Sequence, residues 1–97
     1  MALEIYWTPT ALAGLDTVLE YLEKEWTEKE TSKLETKLSA LLKQIRLHPQ
    51  LFPKTNQLIN VHKAVVDKNN YLIYRWDPTK EIIEILYFRG TKQKPLF

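Results

Sequence analysis

The residues best equipped for chemistry crowd into the last third of the chain. Lys63, Lys68, Arg75, Arg89, Lys92 and Lys94 are interleaved there with Tyr71, Tyr74, Trp76 and Tyr87. A basic surface set with aromatic rings can hold RNA through phosphate contacts and base stacking. The same set can cleave a phosphodiester without metal, if cations stabilise the developing charge and a general base activates a 2′-hydroxyl. A third reading is architectural: the rings fill the core or an edge, and the lysines blunt exposed strands. The residues by themselves leave all three open.

Other chemistries have little to work with. The only glycines are Gly14 and Gly90, so no loop can cradle a phosphate. His48 and His62 fall in a loop and a strand without metal-ligand spacing, and no cluster of carboxylates completes a site. Ser32 and Ser39 stand apart from either histidine, so nothing supports a Ser-His-acid site. Asp16, Glu20 and Glu23 share a helix flank, which reads as a solvated charge row. The absence of cysteine excludes disulfides, thiol nucleophiles and thiolate metal sites. No metal and no cofactor is expected.

The elements that must position the cations are legible from pattern. Val61–Val66, Tyr71–Trp76 and Ile82–Phe88 are rich in Val, Ile, Tyr, Phe and Trp, which suit a pleated surface. Asp67-Lys68-Asn69-Asn70 separates the first two runs, and its Asn residues tolerate the left-handed conformations of hairpin turns. Asp77-Pro78-Thr79-Lys80 separates the second pair, with Pro78 setting a type I turn. Connections this short predict a three-stranded antiparallel meander. Period-two alternation puts Tyr71, Ile73 and Arg75 on one face of the middle strand, and Leu72, Tyr74 and Trp76 on the other.

Upstream, Leu3–Trp7 reads as a strand, followed by Thr8 as an N-cap and Pro9 at the first helical position. Leu12, Leu15, Val18, Leu19, Leu22 and Trp26 form one apolar helical face. Gly14 interrupts that helix, as simple tolerance or because something packs close. Thr27-Glu28-Lys29-Glu30 has capping-box spacing and opens a second helix, with Leu34, Leu38, Leu41, Leu42 and Ile45 as its stripe. A Pro-bounded loop from His48 to Gln57 leads to the meander. The expected fold is α+β, ordered β-α-α-β-β-β: an antiparallel sheet with an N-terminal helical hairpin packed on one face.

Ninety-seven residues suit one domain, over 1–97. No apolar run approaches the ~20 residues of a membrane span, and no signal-peptide pattern opens the chain. A cytoplasmic chain with no membrane partner is therefore expected. Charge is uneven: residues 1–60 hold seven Lys/Arg against eight Asp/Glu, and residues 61–97 hold seven against four. The sheet end is the positive end, which suits an acidic partner or serves only as a solvated terminus.

Several short motifs, in order, resemble the RelE/ParE superfamily of bacterial toxins, on its ParE-like side. They are Trp7-Thr8-Pro9-x-Ala11, His48-Pro49-x-Leu51-Phe52-Pro53, Val61-His62-Lys63-x-Val65-Val66, Tyr71-Leu72-Ile73-Tyr74-Arg75 and Thr91-Lys92-Gln93-Lys94-Pro95. The resemblance covers nearly the whole chain. It implies the toxin of a type II toxin–antitoxin pair, inhibited by a cognate antitoxin laid over the helical hairpin and sheet edge. ParE-like members inhibit DNA gyrase, and RelE-like members cut mRNA on the ribosome.

Ribonuclease members typically carry an Arg where Tyr71 aligns, and a Tyr or His near the C-terminus, where this chain ends Lys94-Pro95-Leu96-Phe97. The ParE-like tail usually reads Thr-Arg-Gln-Asp-Pro, so Lys92 stands for Arg and Lys94 for Asp. The leading expectation is a gyrase inhibitor contacting its target through Lys63, Arg75, Arg89 and Lys92. The alternative is a metal-independent endoribonuclease using Lys63, Lys68 and Arg75 on phosphates, with Tyr71 or Tyr87 moving a proton.

Overall fold

In the computed structural model, which describes residues 3–25, 28–55 and 60–90, the elements follow the expected order. They are β1 (Glu4–Trp7), α1 (Pro9–Glu25), α2 (Glu28–Leu47), β2 (Val61–Asp67), β3 (Asn70–Asp77) and β4 (Ile82–Gly90). Trp26, the capping-box Thr27 and the tail from Thr91 to Phe97 lie outside the described residues.

Thr8 starts α1 as the sequence predicts, and does more. Its hydroxyl accepts the Ala11 N–H at 3.2 Å and faces the carbonyl oxygens of Ile85 and Leu86 at 2.8 and 3.2 Å. Its own N–H donates to Ile85 O at 3.1 Å. One residue therefore caps the helix and ties it to β4.

The sheet has the order β1-β4-β3-β2 and is mostly antiparallel. β2–β3 and β3–β4 form the predicted meander, while β1 joins its far side parallel to β4, with Ile5 opposite Ile83 and Trp7 opposite Ile85. Parallel pairing needs a long crossover, which the helical hairpin and the meander together provide.

The helices cover one face. Ala11, Leu34, Leu38, Leu41 and Ile45 pack with Ala64, Leu72, Tyr74, Ile83, Ile85 and Phe88 into one cluster. Each fully buried Leu, Ile or Phe contributes roughly 1.5–3 kcal/mol. Leu12, expected on the buried face of α1, is 46% exposed, and the small Ala11 is fully buried in its place. The helix turns Ala11, not Leu12, toward the core, and at Gly14 it lies against the backbone of β4.

The first turn differs from expectation. Asn69 and Asn70 do not take left-handed conformations. Instead the Asp67 carboxylate accepts the Asn69 N–H at 2.7 Å and the Asn70 side-chain amide at 3.1 Å, holding an Asx turn. In the second turn Asp77 accepts the N–H groups of Thr79 and Lys80, and Glu81 closes the loop at φ 54°. The other left-handed residue is Asn60, φ 58°, just before β2.

Gly14 resolves its two readings in favour of close packing. A Cβ there would overlap the carbonyl oxygen of Phe88 and stand 3.2 Å from its carbon. Gly14→Ala should therefore destabilise by about 1–3 kcal/mol, outweighing the ~1 kcal/mol gain in helix propensity. Urea titration checks it; unchanged or greater stability would mean that α1 moves off β4 without cost.

Candidate functional site

Residues paired across a sheet point to the same side, so the register determines which candidates can act together. On the face away from the helices, Val61, Lys63 and Val65 of β2 oppose Arg75, Ile73 and Tyr71 of β3. Arg75 opposes Glu84 on β4, Ile73 opposes Tyr87, and Tyr71 opposes Arg89. Glu84 in turn opposes Tyr6 of β1, which is exposed.

A bulge sharpens this arrangement. Ile73 pairs Tyr87 while Tyr74 pairs Ile85, which leaves Leu86 as an extra residue in β4. Leu86 and Tyr87 consequently both pack on the outer face, against Val61, Tyr71 and Ile73. Five of the seven sequence candidates thus share one surface: Lys63, Tyr71, Arg75, Tyr87 and Arg89. Lys68 does not join them, because it sits in the β2–β3 turn. Lys92 lies outside the described residues.

The cations and the rings divide this surface between rim and floor. Lys63 and Arg75 are exposed, while Tyr71 is only 7% exposed and Tyr87 and Arg89 are half-buried. The Lys63 ammonium lies 4.5 Å from the centroid of the Tyr71 ring, a cation–π contact. Among the described residues neither Lys63 nor Arg75 makes an ion pair. The tyrosines therefore form a packed floor, not a row of exposed stacking platforms.

The two remaining aromatic candidates face the helices. Tyr74 is fully buried and donates to Pro49 O at 2.7 Å. Its ring stacks on His62 at 5.1 Å, and His62 Nδ1 lies 2.8 Å from Phe52 O. Burial raises the Tyr74 phenol well above its ordinary value. Trp76 is half-buried against the same core. Both fit the architectural reading of the sequence. Together His62 and Tyr74 hold the loop after α2 against the sheet, where Pro53 and Thr55 bond the backbone of β2.

Lys68 lines a separate cleft of about 990 Å³ between the helical hairpin and the β2–β3 turn. Val18, Leu22 and Leu34 contribute its apolar part, Tyr21 an exposed ring, and Lys33 and Lys37 further cations. Among the described residues no group of three or more His, Asp or Glu side chains could hold a metal ion. Among the described residues no helix is long and apolar enough to cross a membrane.

The fold is that of small bacterial toxins. The chromosomal ParDE toxin–antitoxin system from P. aeruginosa gives a TM-score of 0.74 at 15% identity, covering 94% of this chain and 98% of that one. The YoeB dimer from Staphylococcus aureus gives 0.63 at 19% identity, covering 92% and 97%. A mutant of the E. coli toxin RelE in the free state gives 0.63 at 14%, covering 95% and 86%. No curated protein sequence matches the chain. The family model for the ParE toxin of type II toxin–antitoxin systems matches residues 5–95. The chain belongs to that family, within the RelE/ParE superfamily.

The buried phenol of Tyr74 makes stability depend on alkaline pH. Its folded-state pKa is raised, so the unfolded chain ionises first, near the ordinary value of about 10. Stability is therefore unaffected by this group below that pH and declines as pH rises above it. Tyr74→Phe should cost about 1 kcal/mol at neutral pH, from the lost bond to Pro49, and should flatten the alkaline decline. Denaturation midpoints from pH 7 to 11 for both proteins measure the effect; parallel curves would contradict it.

Proposed function

We propose that this toxin acts by binding, inhibits DNA gyrase through the outer face of its sheet, and is neutralised by a cognate antitoxin. The observation that carries this reading is the division between rim and floor. The face offers exposed cations in Lys63 and Arg75, with Arg89 beside them, while Tyr71 is buried beneath an ammonium. Such a surface suits acidic groups of a macromolecular partner. Lys92, outside the described residues, is proposed as a further contact.

A ribonuclease would need a group to take the 2′-hydroxyl proton. An unperturbed tyrosine, pKa about 10, is a poor base, and Tyr71 is covered. Tyr87, on the same face as Lys63 and Arg75, keeps the RelE-like reading as the alternative. In that reading ribosomes and mRNA replace gyrase as partners.

The antitoxin belongs on the other side of the molecule. Similar chains were solved in complexes such as YoeB–YefM from Staphylococcus aureus. The cleft between α1, α2 and the β2–β3 turn is partly apolar and holds three lysines, Lys33, Lys37 and Lys68, against the acids Glu30 and Asp67, which suits an amphipathic segment. It lies across the sheet from Lys63 and Arg75.

Lys63→Glu with Arg75→Glu should abolish inhibition of gyrase supercoiling and growth arrest, yet leave antitoxin affinity unchanged and cost at most about 1 kcal/mol of stability, where the new carboxylate meets Glu84. Both side chains are exposed, so the fold tolerates the reversal better than at half-buried Arg89. Full gyrase inhibition by the double variant would refute the assigned surface. Translation arrest with cleaved mRNA, gyrase remaining active, would favour the alternative.

A further inference from the structure

We propose that Tyr71 is a positioning residue: its ring holds the Lys63 ammonium in place for a carboxylate of the protein target. It neither moves a proton nor stacks on a base. This rests on the gyrase reading given above.

The geometry supplies the argument. Lys63 on β2 opposes Ile73, so Tyr71 and Arg75 are its two diagonal neighbours on β3. The side chain could lie towards either, and the ammonium sits 4.5 Å over the Tyr71 ring. The electron-rich ring face attracts it, and the like charge of Arg75 repels it. Tyr71 cannot follow a moving lysine, because it is packed with Val61, Ile73, Leu86 and Tyr87 at 7% exposure.

An exposed lysine normally loses much of its rotamer freedom when it meets a carboxylate, which makes such pairs weak. A lysine already resting on a fixed ring has less to lose, so binding is stronger. The same contact covers the ring face that a base would need. A phenylalanine at position 71 would hold the ammonium as well, whereas a leucine would not.

The test is a double-mutant cycle with Lys63→Met and Tyr71→Leu, read as affinity for DNA-free gyrase and as the inducer dose that arrests growth. Each single change should weaken gyrase binding about two- to fivefold, and the double change no more than Lys63→Met alone. Tyr71→Phe, which keeps the ring face under the ammonium, should bind like the parent. Additive losses, or a Tyr71→Phe as weak as Tyr71→Leu, would overturn the proposal while leaving the gyrase reading intact.

If the protein arrests growth without binding gyrase, the gyrase reading falls. The carboxylate assignment falls with it, and the cycle on arrest dose then decides whether the pair acts as one unit. A protein that does neither refutes the proposal. Should Tyr71→Leu fail to fold, proton NMR of the parent decides: ring-shielded Lys63 ε-methylene protons support the contact, and unshifted ones refute it.

Discussion

The structure hangs on the contact between the backbone of β4 and the start of α1. Thr8 binds the carbonyls of Ile85 and Leu86, and Gly14, almost two turns later, lies against the carbonyl of Phe88. A helix held this closely to a strand fixes its own direction, and the strand leading into it must then run beside β4. The parallel pairing of β1 follows. So does the place of the bulge: a hydroxyl that reaches two successive carbonyls needs the backbone to kink there. That kink turns Leu86 and Tyr87 together onto the outer face, which builds the floor under the cations. A helix-packing constraint thereby shapes the surface on the opposite side of the sheet.

The strand β3 carries the same logic sideways. Tyr74 and Arg75 are neighbours in sequence and face opposite ways, one into the core and one into solvent. Tyr74 is immobilised by its bond to Pro49 and by the His62 ring. His62 in turn precedes Lys63 on β2. The two exposed cations therefore stand on backbone positions locked from beneath by the residues next to them. Cations on such a base keep a constant spacing, as recognition of a fixed pattern of acids requires.

Most of this fold could be read from local pattern. The Thr8-Pro9 start, the alternation of β3 and, Leu12 apart, the described residues of the helical stripes are short-range signals that matched the structure. What escaped the reading is non-local. Parallel pairing of β1 with β4 has no signature in either strand, so Tyr6 and Glu84 could not be placed beside Arg75. The bulge at Leu86 breaks period-two alternation without a glycine to mark it. Leu12 failed for a related reason: a hydrophobic pattern reports which side of a helix is apolar but not how near the sheet lies. Ala11 and Gly14 held that information in their small size. The candidate site was half legible, since composition and alternation named Lys63, Tyr71 and Arg75. The turn position of Lys68 was legible too, whereas the place of Tyr87 and Arg89 on the same face needed the register and the bulge.

The contrast between binding and catalysis at this face reduces to solvent and proton traffic. A tyrosine acts as a base only where surrounding charge lowers its pKa and its oxygen can reach the substrate. Tyr71 is poorly placed for that reach, because it is 7% exposed, packed with Val61, Ile73, Leu86 and Tyr87 and covered on one ring face by an ammonium. Positive charge alone can bind phosphate but cannot accept a proton. Under the proposed binding role the chemistry belongs to the target, and the basic sheet serves to hold it. On that view Tyr71, aligned where ribonuclease members typically carry an Arg, provides a seat for the charge of Lys63.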